Sequence, residues 1–219
     1  ADRVRVTGNA RLDDLVSAVT ARRPARDEIR RGLGVGPDQP LAVLTAKFTE
    51  MRGPLGKLIE AVAGLPEMRL IIKPHPAESP SDYDAAVVRA SNASVAPGID
   101  LASALVAADT VVTMNSTVAI DGLVLGLPAL VIGLPNNLSP FVDSGAMVGA
   151  GGAAPIREAL RSLLYDREAR EAQVVRGAAF ARRYGLESDG RAAGRAAAEI
   201  LALAGHPSDR RNGNAEESI

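Results

Sequence analysis

The chain has no cysteine. Disulfides, thiolate metal sites and cysteine nucleophiles are therefore excluded. Histidine is nearly as scarce: His75 and His206 are the only two in 219 residues, far apart and with His206 in a polar tail, so a histidine zinc cluster finds no support. A charge bias is missing too. The net charge of −1, with no basic stripe interleaved with aromatics, gives no reason to expect a nucleic-acid partner. Aromatics make up only 3%, so the core leans on Ala, Val and Leu, within a hydrophobic content of 47% that suffices for one. No long apolar run exists. The longest, residues 123–134, is broken by Gly126, Pro128 and Gly133 and is too short to span a bilayer, and no signal peptide is visible. A soluble, cytoplasmic chain of one domain, or two small ones, is the expectation. The chain opens at Ala1 and enters a strand-like Val4-Arg5-Val6 almost at once, as a piece of a longer protein does and as a chain that has lost its initiator Met also does.

Three motifs are absent as well. No Gly-x-Gly-x-x-Gly follows the first strand, which disfavours a nicotinamide dehydrogenase, and no Walker lysine motif supports a P-loop nucleotidase. No Gly-x-Ser-x-Gly elbow supports a hydrolase triad.

What is present is alternation. Residues 4–6, 41–45, 69–73, 93–96, 111–113 and 129–132 read as short strands. Between them, Leu12, Leu15, Val16 and Val19 recur at helical spacing, and further helices are expected over 24–31, 54–63, 81–89 and 100–107. Three more close the domain at 155–164, 167–183 and 189–204. Strands alternating with helices predict an α/β fold: a Rossmann-like, doubly wound parallel sheet in three α/β/α layers. That domain is expected to occupy residues 1–204, with 205–219 a disordered tail almost free of apolar residues. The loop 133–152 is long and rich in Gly, Pro and Asn, hence functional or mobile, with Asn136 and Asn137 read as turn residues. Arg22, Arg23, Arg26, Arg30 and Arg31 read as a solvated face.

The stretch 111–128 carries the most chemistry. Asn115, Ser116 and Thr117 favour helix N-caps, Gly126 suits a left-handed C-cap, and Pro128 bars continuation. Free amides and the dipole at such a helix start, with the Ser116 and Thr117 hydroxyls added, make a phosphate seat. Asp121 lies four residues after Thr117 on the same helical face, placed to accept from ribose hydroxyls one turn below a diphosphate. The plainer alternative is that Ser116 and Thr117 cap the helix and Asp121 favours its positive end. In doubly wound sheets ligands sit beyond the carboxyl ends of the strands. The loops 46–53, 73–78 and 114–117 lie there and hold Lys47, Glu50, Lys73, His75, Ser116 and Thr117. That convergence favours the seat. For His75 an acid or phosphate contact stands beside a hydrogen-bonding loop histidine between two prolines; for Lys73 a solvated strand end is the simpler reading.

With these residues in view, the chain resembles the carboxy-terminal domain of the UDP-N-acetylglucosamine 2-epimerases and of glycosyltransferases sharing their GT-B fold, over about residues 4–204. Thr7-Gly8-Asn9 followed by Asp13 is similar to the family's Thr-Gly-Asn opening to this domain. Thr45-Ala46-Lys47-Phe48-Thr49-Glu50 stands where epimerases carry Thr-Ala-His-Arg-Arg-Glu, and Pro74-His75 falls near their Pro-Val-His. Residues 137–145 fall where epimerases have Thr-Glu-Arg-Pro-Glu and a following glycine, with Ser139 replacing the arginine. Tyr184-Gly185 with Asp189-Gly190 looks like an expanded Tyr-Gly-Asp-Gly turn. The departures point elsewhere. Ser116-Thr117-Val118 replaces the epimerase Ser-Gly-Gly, and with Leu125-Gly126-Leu127-Pro128 and Lys73-Pro74-His75-Pro76 it looks more like capsule-polysaccharide transferases and CDP-glycerol glycerophosphotransferases.

The resemblance implies a nucleotide-sugar substrate of UDP or CDP type, no cofactor, no metal, and an amino-terminal GT-B domain missing from this chain. It implies Asn115, Ser116, Thr117 and Asp121 as the nucleotide contacts, with His75, Lys47 and Glu50 as catalytic residues. The function expected is a glycosyltransferase of surface-polysaccharide synthesis, this domain alone being inactive. The alternatives are a UDP-N-acetylglucosamine 2-epimerase and a non-catalytic nucleotide-binding module.

Overall fold

The computed structural model describes residues 4–204; the tail expected at 205–219, His206 included, lies outside the described residues. The chain begins with helices α1 (Ala10–Arg22) and α2 (Arg26–Gly32), joined by a 3₁₀ turn. Strand β1 (Leu41–Thr45) follows, then the short α3 (Phe48–Met51), α4 (Pro54–Ala63) and β2 (Arg69–Lys73). Next come α5 (Asp84–Val87), β3 (Ala93–Val95), α6 (Leu101–Ala107), β4 (Thr110–Thr113), α7 (Val118–Val124) and β5 (Ala129–Ile132). Helix α8 (Ser139–Asp143), β6 (Val148–Ala150), α9 (Ala153–Tyr165), α10 (Arg167–Arg183) and α11 (Ala192–Ala204) complete the order.

All six strands pair in parallel, in the order β3-β2-β1-β4-β5-β6. This is the doubly wound sheet expected. Every residue of β1, β4 and β5 is buried, as strands covered by helices on both faces must be. Period-two alternation sorts their side chains. Ala42, Leu44, Ile72, Val112 and Leu130 point into the larger core with α4 and α9, while Leu41 and Val43 pack with Ala104 and Ala107 of α6 on the other face.

Expectation and structure part in four places. Residues 4–6 are not a strand: Val4 and Val6 stand 76% and 88% exposed, with no neighbouring strand to pair with. The expected helix over 81–89 is a 3₁₀ turn (Pro80–Tyr83) followed by one turn of α5. The long loop hides α8 and β6. Gly149 masks the strand in sequence; a Cβ there would lie 2.5 Å from Val142 Cγ1 and 2.6 Å from Leu134 Cδ1, so those side chains would have to shift. Gly126 does adopt the expected left-handed backbone, at φ +76°.

The fourth difference concerns the arginines. Arg30 is only 1% exposed, and its guanidinium donates to the carbonyls of Gly36, Gln39 and Ala107 and to Asp109. Arg26 Nη2 donates to Asp109 Oδ1 at 2.7 Å. Asp109 also accepts from the Leu41 amide at 2.8 Å, so one carboxylate joins the starts of β1 and β4 to α2. At the far end of the chain a second clamp forms. Asp13 of α1 accepts from Ser188 Oγ at 2.6 Å and from the Ala192 amide at 2.8 Å, and Arg195 Nε donates to Thr7 O at 2.9 Å. Those two bonds hold the Asp13 carboxyl below the usual carboxylate range. Among the described residues no helix is long and apolar enough to cross a membrane.

Removing the Asp109 charge leaves a buried guanidinium without its counter-ion. Because Arg30 keeps its carbonyl acceptors, Asp109→Asn is expected to cost about 2–3 kcal/mol, short of the full penalty for breaking a buried pair. Urea unfolding of the two proteins measures this; equal midpoints would make the pair dispensable.

Candidate functional site

The strand order reverses direction between β1 and β4, and ligands of such sheets occupy the crevice beyond the strand ends there. A cleft of about 480 Å³ lies at that point. The loops after β1, β2 and β4 supply Lys47 and Glu50, then Lys73 and His75, then Asn115, Ser116 and Thr117. Of the seven residues that the resemblance names, all but Asp121 therefore meet in one depression, with Lys73 beside them.

The wall after β4 is built by hydroxyls. Thr113 Oγ1 donates to Thr45 O at 2.6 Å, which locks the ends of β4 and β1 together, and accepts from the Ser116 amide at 3.3 Å. Ser116 Oγ then accepts from the Val118 amide at 3.2 Å. Helix α7 thus starts later than its capping residues suggest, and spans seven residues. Thr117 occupies the N-cap position without a side-chain capping bond, so its hydroxyl stays free to donate. Asn115 Oδ1 accepts from the Asn137 amide at 3.2 Å, tying this wall to the loop after β5. At the cleft's base Thr45 Oγ1 is buried and has no hydrogen-bond partner. Buried hydroxyls without partners are uncommon and costly.

The opposite wall depends on a residue the sequence did not single out. Glu78 accepts from the Phe48 amide at 2.9 Å and the Thr49 amide at 3.5 Å, capping α3 from thirty residues away. Tyr83 donates to Ala46 O at 3.1 Å and reaches Glu78 at 3.4 Å. Burial first, and the neighbouring Glu78 charge second, raise the Tyr83 phenol well above its ordinary value, so it remains a donor. The Phe48 ring stands edge-on to Tyr83 at 5.1 Å. These contacts fix Lys47, the N-cap residue of α3, and Glu50 at its first turn against the His75 loop. His75 Nδ1 accepts from the Ala77 amide at 3.2 Å. In the neutral ring the proton is then on Nε2, which is a donor.

Asp121 is placed differently from the sequence expectation. It is 1% exposed, and Arg11 grips it with two bonds, Nη2 to Oδ1 at 2.6 Å and Nη1 to Oδ2 at 3.1 Å. That bond in turn raises the Arg11 guanidinium. Asp121 does share a face with Thr117, but the depression they line together is a second one, of about 480 Å³, with Thr7, Asn9 and Arg11. Asp121 does not line the cleft, and both of its oxygens accept from Arg11. Helical spacing gives the face a residue shares and not the partner opposite it. No cluster of three His, Cys, Asp or Glu able to hold a metal occurs among the described residues.

Glu78→Ala uncaps α3 and is expected to cost about 1 kcal/mol, the usual worth of a cap. Amide exchange at Phe48 and Thr49 should speed up while β1 and β4 stay protected. Unchanged exchange at those two amides would show that the loop holds itself in place.

No protein-family description matches the chain, and no curated protein matches it in sequence. Solved structures do match in shape. A UDP-N-acetylglucosamine 2-epimerase shares 17% identity at a TM-score of 0.66 over 99% of this chain and 56% of its own. The UDP-GlcNAc 2-epimerase of Neisseria meningitidis bound to UDP-GlcNAc shares 16% at 0.66, over 94% and 56% respectively. WaaG, a glycosyltransferase involved in lipopolysaccharide biosynthesis, shares 21% at 0.56 over 81% and 50%. The chain spans about half the length of each of these proteins. Its fold is that of one half of the UDP-N-acetylglucosamine 2-epimerases and GT-B glycosyltransferases.

Proposed function

We propose that this domain holds the diphosphate of a UDP- or CDP-linked sugar, as the carboxy-terminal half of a GT-B glycosyltransferase of surface-polysaccharide synthesis. The observation that carries the proposal is the cleft itself. Free hydroxyls on one wall face two lysines and a histidine on the other, at the switch point of a fold shared with epimerases and glycosyltransferases. Thr117 and Ser116 donate to phosphate oxygens, and Thr45 supplies a further buried hydroxyl. Asn115 shapes the rim. Lys47 sits where a cation offsets the charge that develops on a leaving diphosphate. His75, with Nε2 as donor, is suited to a phosphate or leaving oxygen and, in that tautomer, not to taking a proton there. Glu50 lines the same cleft and is placed to meet the sugar.

The epimerase alternative is favoured by the closer match in shape, at a TM-score of 0.66 against 0.56 for the transferase WaaG. Against it, C2 epimerisation needs well-placed acid and base groups, each worth on the order of 10²–10⁴ in rate. The loop that carries His-Arg-Arg in epimerases is here Lys47-Phe48-Thr49. A transferase asks less of this half: a held diphosphate and a cation, with the acceptor's base coming from the other half.

Two measurements test the proposal. UDP or CDP should bind the domain alone in calorimetry, and Thr117→Val should weaken binding roughly tenfold or more, since a hydrogen bond to a charged group is worth ~1.5–3 kcal/mol. Unchanged affinity removes Thr117 from the site. The second incubates a longer polypeptide carrying both halves with UDP-N-acetylglucosamine in D₂O, without acceptor. No deuterium is expected at sugar C2, with diphosphate released only when acceptor is added. Deuterium at C2 would establish the epimerase instead.

A further inference from the structure

The arginine-rich segment that the cleft leaves unused meets Arg170 of α10 at the opposite end of the strands. Asp109, in the turn between α6 and β4, is approached by Arg26 at 2.7 Å, Arg30 at 3.3 Å and Arg170 of α10 at 3.9 Å. One carboxylate thus serves three guanidiniums. Two of them are structural. Arg30 is buried and bonded to backbone carbonyls, and Arg26 Nε donates to Val106 O at 3.1 Å. Arg170 is different. Its side chain is 38% exposed, and its approach to Asp109 is too long for a hydrogen bond, leaving its donors free. Arg23, which lines the same hollow, makes no side-chain hydrogen bond or ion pair among the described residues.

These groups rim a depression of about 560 Å³ in which the half-buried Leu125 and Leu127 leave a small apolar surface between the arginines. Arg23, Arg26 and Arg170 line it and Asp109 is its sole acid. Of the acids nearby, Glu171 pairs with Arg167 at 2.7 Å and Asp100 with Arg22 at 3.7 Å, while Asp27 and Glu28, next to Arg26 in sequence, do not line the hollow. The hollow therefore keeps uncompensated positive charge over low-dielectric walls, the arrangement that concentrates anions. Guanidinium forks match phosphate oxygens in pairs.

We propose that this depression is a second anion site, distinct from the cleft, for an organic phosphate whose apolar body rests on that small apolar surface while Arg23 and Arg170 take the phosphate. The cleft and this hollow lie at opposite ends of the strands, since the first follows β1, β2 and β4 and the second precedes β4. The proposal does not depend on what the cleft binds.

The test is calorimetry of the chain with inorganic phosphate and with hexyl phosphate. Both should bind, and hexyl phosphate should bind more tightly by roughly tenfold, the worth of burying a few methylenes. Arg23→Ala/Arg170→Ala should lose that hexyl phosphate affinity, roughly tenfold or more per guanidinium removed. Thr117→Val should leave it unchanged. Neither arginine is buried, so the variant is expected to keep its urea midpoint, measured alongside. Hexyl phosphate binding that survives the double substitution, or that is lost with Thr117→Val instead, overturns the proposal. Equal affinity for the two phosphates overturns the role of the apolar surface.

Discussion

The molecule turns on β1 and β4 lying side by side. These strands are consecutive neither in sequence nor in the order of their crossovers, and the chain winds away from them in both directions across the sheet. Their pairing is secured at both ends by side chains. Asp109 binds the Leu41 amide at the amino-terminal edge, and Thr113 binds Thr45 O at the carboxyl end. Only because the two strands end together do the loops after them face each other. The cleft is the gap that this reversal leaves, and its hydroxyl and lysine walls come from opposite halves of the winding.

The two ends of the strands solve opposite electrostatic problems. At the carboxyl end, the Thr45 and Thr117 hydroxyls are left without protein partners, so the site is polar but almost uncharged on the Ser116 side. At the amino-terminal end the carbonyls closing α6 are met by Arg26 and Arg30, and the charge brought in is only partly cancelled by Asp109. Burial draws the Arg30 guanidinium below its ordinary value, while the Asp109 charge pulls it back. One end waits for donors to be used; the other holds cations in excess.

Much of this was legible in the sequence. β1, α4, β2 and β5 fall within the expected bounds, because continuous apolar runs flanked by Gly or Pro leave little choice of structure. Lys47, Glu50, His75, Asn115, Ser116 and Thr117 were legible as a group because a parallel sheet sends every strand end to one side. What could not be read was pairing across distance. Glu78 caps a helix thirty residues upstream, Arg11 claims Asp121 from 110 positions away, and Arg30 reaches past Asp109 into the interior. Polar residues carry no periodic signature of their partners, so none of these contacts showed. β6 was missed for a different reason: Gly149 removes the side chain that would have announced a strand, and does so because Val142 and Leu134 fill the space.

The clamp between the first and last described segments has a mechanical meaning. Arg195 holds Thr7, and Asp13 holds the loop and first turn of α11. Two residues before Asp13, Arg11 is fastened to Asp121 in α7, the helix directly beneath Ser116 and Thr117. Helix α1 is thus a lever with one arm on the chain's outer segments and the other on the floor of the cleft wall. The last described helix is thereby tied, through one turn of α1, to the helix that carries the cleft wall.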